Sequence, residues 1–87
     1  MIKIAVCDDD RTVRESIVKA LQRYERDNSM EFEILEYAAA DAMLVSYPAE
    51  LDLILLDIYM PGIDGMDAAK AIRRFDQDVC KIGRAHV

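Results

Sequence analysis

Two hydrophobic periods alternate along the chain. Residues 2–7 are a short apolar run with only Lys3 polar, ending in the acids Asp8, Asp9 and Asp10. Such a run predicts a strand buried on both faces. From residue 12 to 26 the apolar positions Val13, Ile17, Leu21 and Tyr24 recur every three or four residues, the stripe of an amphipathic helix. Asp9 or Asp10 can cap its first amides, and Thr12 with Glu15 also fits a capping box. Asp27-Asn28-Ser29 supplies a turn. In residues 31–37, Phe32 and Ile34 alternate with Glu31 and Glu33, which predicts an edge strand with one exposed face. Residues 38–47 form an Ala-rich helical segment stopped at Pro48. Residues 51–56, apolar except for Asp52, make a second fully buried strand that delivers Asp57 at its carboxyl end. Pro61, Gly62 and Gly65 mark the following loop, and Asp64 can cap a third helix with Met66, Ala69, Ile72 and Phe75 on its inner face. A further strand begins at Val79-Cys80-Lys81.

Strands alternating with helices specify a parallel α/β sheet with right-handed crossovers. In such a sheet the working site lies beyond the carboxyl ends of the strands. Asp8 to Asp10 and Asp57 all fall there. If the first and third strands are neighbours, Asp8, Asp9 and Asp57 converge, and their mutual repulsion would raise at least one carboxyl pKa sharply unless a cation neutralises them. Mg2+ suits the cluster, because it binds through one or two carboxylates while keeping waters or phosphate oxygens. Aspartate is also a nucleophile for phosphoryl transfer. Asp57, single at a strand end and followed by a tight loop, is the best placed to attack.

Composition narrows the picture. With 87 residues the chain is one domain at most, and 53% hydrophobic with 32% charged residues is a globular balance. A net charge of -6 argues against direct nucleic-acid binding. No segment is long and apolar enough to span a membrane, and the start runs directly into a strand without a signal-peptide layout, so a cytoplasmic location is expected. Cys7 and Cys80 are far apart in apolar runs and read as small buried residues rather than a redox or metal pair.

Asp8-Asp9 after the first strand, Asp57 after the third, and then Met60-Pro61-Gly62-Ile63-Asp64-Gly65 resemble the receiver domain of two-component response regulators over residues 1–81. The resemblance implies a flavodoxin-like (βα)5 doubly wound parallel sheet of strand order 2-1-3-4-5, with the first three βα units and the start of the fourth strand present here. It implies that Asp57 is the phosphoacceptor, that Asp9 binds Mg2+ directly, that Asp8 acts mostly through water and that the backbone carbonyl of Tyr59 completes the metal shell. Met60, Pro61, Gly62 and Gly65 would position the loop. Implied partners are a histidine kinase as phosphodonor, an output DNA-binding domain in a longer parent protein, and a phosphorylation-dependent homodimer. Residues 57–69 look like receivers that precede LytTR-type DNA-binding domains. The fourth-strand Ser or Thr and fifth-strand Lys that such receivers use to hold phosphoryl oxygens have no counterpart in this sequence.

Other readings compete. Asp10 is more readily a helix cap than a ligand, and Asp52 reads as structural or solvent-facing. Asp8-x-Asp10-x-Thr12 also matches the haloacid-dehalogenase-type phosphohydrolases, with Asp8 as nucleophile and Asp10 as acid/base, but that leaves Asp57 and its loop unexplained. A third reading is a receiver-like interaction module that never takes phosphate. Ile82-Gly83-Arg84-Ala85-His86-Val87 resembles the translation of a short-read sequencing adapter, so residues 82–87 are expected to be a non-native tail. His86 then carries no functional weight, and the third strand is expected to be a bare, aggregation-prone edge, with half of one sheet face uncovered.

Overall fold

The computed structural model describes residues 1–57, Lys70, Arg73 and 80–84, with the side chains of Asp57 and of residues 80–84 outside the description. Its elements in chain order are β1 (Ile2–Cys7), α1 (Arg11–Asn28), β2 (Phe32–Tyr37), α2 (Ala40–Val45), β3 (Leu53–Asp57) and β4 (Cys80–Arg84). The strands make one parallel four-stranded sheet in the order β2-β1-β3-β4. The parallel sheet is the one expected from the alternation of periods, and its order is the one that the family resemblance implies. The loop after Asp57 and the apolar face of the expected third helix lie outside the described residues, where Lys70 and Arg73 alone are seen to be helical and exposed.

β1 holds the centre because it can be buried on both sides. Ile4, Ala5, Val6 and Cys7 are all buried. Alternation along the strands sends Ala5 and Cys7 to one face. There they meet Leu35 and Tyr37 of β2, Ile54 and Leu56 of β3, Leu51, and Ala40 and Met43 of α2 in the main core cluster. The opposite face carries Phe32 and Glu36 of β2, which α1 covers: Tyr24 stacks on Phe32 with ring centroids 6.1 Å apart, and Arg14 pairs with Glu36. The two helices thus lie on opposite faces, as the crossover rule requires.

β2 differs from the expected strand with one solvated face. Glu33 is exposed, but Leu35 and Tyr37 on the same face pack under α2. Only the first half of that face is solvated, while β2 holds the edge position expected of it. α1 has no fully buried residue, and Tyr24, on its predicted apolar stripe, remains 53% exposed. Leu53 and Leu55 on the α1 side of the sheet are half-buried, in keeping with thin cover on that face.

The expectation of a bare β3 edge is corrected. β4 pairs with β3 from Leu53↔Cys80 to Asp57↔Arg84, so the ladder continues three residues beyond the boundary drawn at residue 81. Ladder hydrogen bonds use main-chain groups and are indifferent to where a side chain comes from. Ile82-Gly83-Arg84 can therefore extend a strand that Cys80-Lys81 begins.

At the amino ends of the strands, Asp52 ties β3 to β1. The Lys3 amide donates to Asp52 Oδ2 at 2.9 Å, and the Asp52 amide donates to the Lys3 carbonyl at 2.9 Å. Asp52 is structural, as read from the sequence, and its distance from the acid cluster is the whole length of the sheet.

α1 begins one residue before its predicted start, because Asp10 is the cap. Its Oδ1 accepts from the Thr12 amide at 2.9 Å and the Val13 amide at 3.3 Å. Thr12 lies inside the helix and Glu15 pairs with Arg11, so the alternative capping box at Thr12 and Glu15 does not form. The helix also runs through Asn28, part of the expected turn. It stops at Ser29, which adopts left-handed geometry (φ 52°), while the Ser29 and Met30 amides donate to the Glu25 carbonyl. Replacing Asp10 by alanine is expected to cost about 1 kcal/mol of stability, read as a lower urea midpoint with unchanged slope.

Candidate functional site

Four strands running the same way place their carboxyl ends on one rim of the sheet, and the acids sit on that rim. Cys7 of β1 pairs with Leu56 of β3, so the next residue on each strand is an aspartate: Asp8 and Asp57. The sequence anticipated this juxtaposition on the assumption that β1 and β3 are neighbours. The register confirms the assumption for the backbone. The Asp57 side chain, Tyr59, Met60, Pro61, Gly62 and Gly65 lie outside the described residues.

Asp8 is only 1% exposed, the sole charged residue among the buried set of described residues. Its amide donates to the Tyr37 carbonyl at 3.1 Å, which carries the β1–β2 ladder one step past Cys7. Its Oδ1 accepts from the Asp10 amide at 2.9 Å. Its carbonyl accepts from Arg14 Nη1 at 2.9 Å. The Asp8 main chain and carboxylate are thus tied to β2, to the loop and to α1. Asp9 is exposed at the mouth of the same loop, and Asp10 is committed to the helix cap.

Burial of the Tyr37 hydroxyl, and secondarily the neighbouring Cys7, push the Tyr37 phenol above its ordinary pKa of 10.0. Tyr37 therefore stays neutral through the physiological range, packed against the core cluster. Cys7 is buried in the core cluster, as its apolar setting suggested; the side chain of Cys80 is outside the described residues.

Among the described residues, no three Asp, Glu, His or Cys side chains gather into a group able to hold a metal ion. Asp8 and Asp9 supply two carboxylates, and the β1–β3 register brings Asp57 to the same rim. These donors are hard oxygens and fit a hard divalent cation such as Mg2+. Asp10 is poorly suited to the acid/base role in the phosphohydrolase reading, because its carboxylate oxygen already accepts two helix amides. The feature that sequence reasoning missed is Arg14. It lies on the first turn of α1 and reaches both Asp8 and Glu36, a contact between residues 22 apart with no local signature.

A parallel α/β domain with paired acids at the carboxyl rim defines a class of phosphoryl-handling folds. The response regulator receiver domain family matches residues 4–83, and the chain belongs to that family, whose members are signalling domains rather than classical enzymes. The response regulator TrrA of Thermotoga maritima, solved in complex with Mg2+ and BeF, is 31% identical with a TM-score of 0.84, the match covering 98% of this chain and 70% of that one. TrrA in complex with the histidine kinase ThkA matches at 32% identity and a TM-score of 0.75 over 95% of this chain and 67% of that chain. DrrB of Thermotoga maritima, an OmpR/PhoB homolog, shares the fold at 21% identity and a TM-score of 0.83, all of this chain matching 36% of that chain. No described helix is long and apolar enough to cross a membrane.

Proposed function

We propose that this receiver domain accepts a phosphoryl group on Asp57 from a histidine kinase phosphohistidine. The observation that carries the proposal is the β1–β3 register, which sets Asp57 beside the buried Asp8 on the carboxyl rim. In the transfer, an Asp57 carboxylate oxygen forms a bond to phosphorus as the phosphorus–nitrogen bond to the donor imidazole breaks. The imidazole leaves with the electron pair and takes a proton from solvent. The product is an acyl phosphate.

Asp9 and Asp57, with the Tyr59 carbonyl, would hold Mg2+ directly, and Asp8 would act through water. When bound, Mg2+ neutralises charge on the transferred group. The residues of the chain do the rest. Asp8, held through its amide, its carbonyl and Oδ1, keeps its carboxylate at a defined place, and Met60, Pro61, Gly62 and Gly65 would position the loop after Asp57. Small phosphodonors would be accepted by the same route. The complexes of TrrA with Mg2+ and BeF and with ThkA support both the ion and the donor class.

Phosphorylation then shifts a pre-existing equilibrium toward a surface that dimerises or releases an output domain. The larger size of DrrB supports an output domain in a longer parent protein, with a LytTR-type DNA-binding domain as the candidate from the loop sequence. Such a parent acts in the cytoplasm, where kinase phosphohistidines are presented.

Reductive trapping with borohydride followed by peptide mass spectrometry tests the assignment, since it converts only the acylated aspartate to homoserine. Modification at Asp57 is expected. Modification at Asp8 would favour the phosphohydrolase chemistry, and none at all would favour a module that binds partners without phosphate.

A further inference from the structure

We infer that Arg14 is a positioning residue for the metal-binding acids, acting through the Asp8 carbonyl. The inference rests on the proposed Mg2+ site and goes beyond it, because Arg14 is neither an acid nor on the rim.

Arg14 is held between two acceptors. Its Nη1 donates to the Asp8 carbonyl at 2.9 Å and its Nε to Glu36 Oε1 at 3.3 Å. Its side chain is 16% exposed, far less than Arg11 on the same helix turn. Only a guanidinium offers two donors in one rigid plane for acceptors on different elements; an ammonium on a flexible stem does not reproduce that fork.

The carbonyl it grips belongs to the Asp8–Asp9 peptide. A peptide unit is planar, so fixing the direction of the Asp8 oxygen also fixes the Asp9 nitrogen and the course of the chain into Asp9. The neighbouring bonds complete the frame: the Asp8 amide is held by the Tyr37 carbonyl, and the Asp10 amide by Asp8 Oδ1. Asp9, the exposed acid assigned to bind Mg2+ directly, therefore stands on a backbone clamped on both sides. Glu36 supports the clamp from β2, whose last residue, Tyr37, holds the Asp8 amide. Partners that orient metal ligands in this way typically contribute ten- to hundred-fold to metal affinity.

Charge alone predicts the opposite sign. Arg14 is a cation near an acidic cation site, so removing it would tighten Mg2+ binding by relieving repulsion. Loss of the clamp would weaken it. The experiment is titration of the folded protein with MgCl2, followed through the amide resonances of Asp9 and Asp10, for Arg14→Gln and Arg14→Lys beside the wild type. Arg14→Gln is expected to weaken Mg2+ binding about ten-fold. Arg14→Lys keeps the charge and loses the fork, and is expected to weaken it by several-fold, which also covers the case in which the glutamine variant does not fold.

Affinity that is unchanged or tighter in folded Arg14→Lys or Arg14→Gln overturns the inference, since a merely structural role moves the unfolding midpoint and not the affinity of the folded state. Asp9→Asn separates the two levels. If Asp9→Asn abolishes Mg2+ binding while the Arg14 variants bind like wild type, the positioning role alone falls. If Asp9→Asn binds Mg2+ normally, the metal site falls and the role of Arg14 with it.

Discussion

Asp57→Asn is expected to reduce acyl-phosphate formation by roughly three orders of magnitude or more, measured with a radiolabelled phosphodonor in the presence of MgCl2. The amide matches the carboxylate in shape but carries no charge and no nucleophilic oxygen. The substitution should leave the fold intact, because Asp57 joins the sheet through its main chain, paired with Arg84 of β4. A circular dichroism spectrum and urea midpoint close to wild type would confirm that only chemistry is lost. Phosphate uptake at the wild-type rate would instead place the acceptor elsewhere, with Asp8 the first alternative because it stands next in register.

Ile54→Ala should produce the largest loss of stability among single core substitutions. Ile54 is 0% exposed at the middle of β3 and belongs to the cluster that joins β1, β3 and α2. Truncating a buried isoleucine removes transfer energy and leaves a cavity, together about 3–4 kcal/mol. A domain of this size has a total stability of roughly 5–10 kcal/mol. The substitution is therefore expected to remove a large part of it, seen as a urea midpoint lowered by a third or more. Loss of less than about 1 kcal/mol would mean that the core relaxes around the site far more than its close packing suggests.

Much of this arrangement is legible in the residues themselves. The apolar run of β1, with only Lys3 polar, announced a strand covered on both sides, and Ile4 to Cys7 are buried accordingly. The acids at its end and after β3 announced the rim, and the alternation of periods announced a parallel sheet, while the strand order came only with the family resemblance. Asp10 was readable as a cap because an aspartate before a helical stripe has few better uses. Contacts between distant residues were not readable. Nothing local in Lys3 or Asp52, 49 positions apart, signals that they exchange hydrogen bonds. Nor does Arg14 show that it turns inward while Arg11 stays in solvent. Residues 31–37 read as a strand with one exposed face because Phe32 and Ile34 alternate with Glu31 and Glu33, whereas the helix that covers Leu35 and Tyr37 is decided by tertiary packing. The predicted helix over residues 38–47 contracts to Ala40–Val45, since Ala39 is extended and offers its first amides no side-chain cap. Continuation of β4 to Arg84 depends on an available edge on β3, which no period in the sequence of β4 could reveal.

The reciprocal hydrogen bonds between Lys3 and Asp52 give the molecule two functionally separate poles. About four residues of buried strand, some 13 Å at the usual rise, lie between that fastening and the reactive rim. Adjustments at the fastened pole can therefore harden or soften the domain without touching its chemistry.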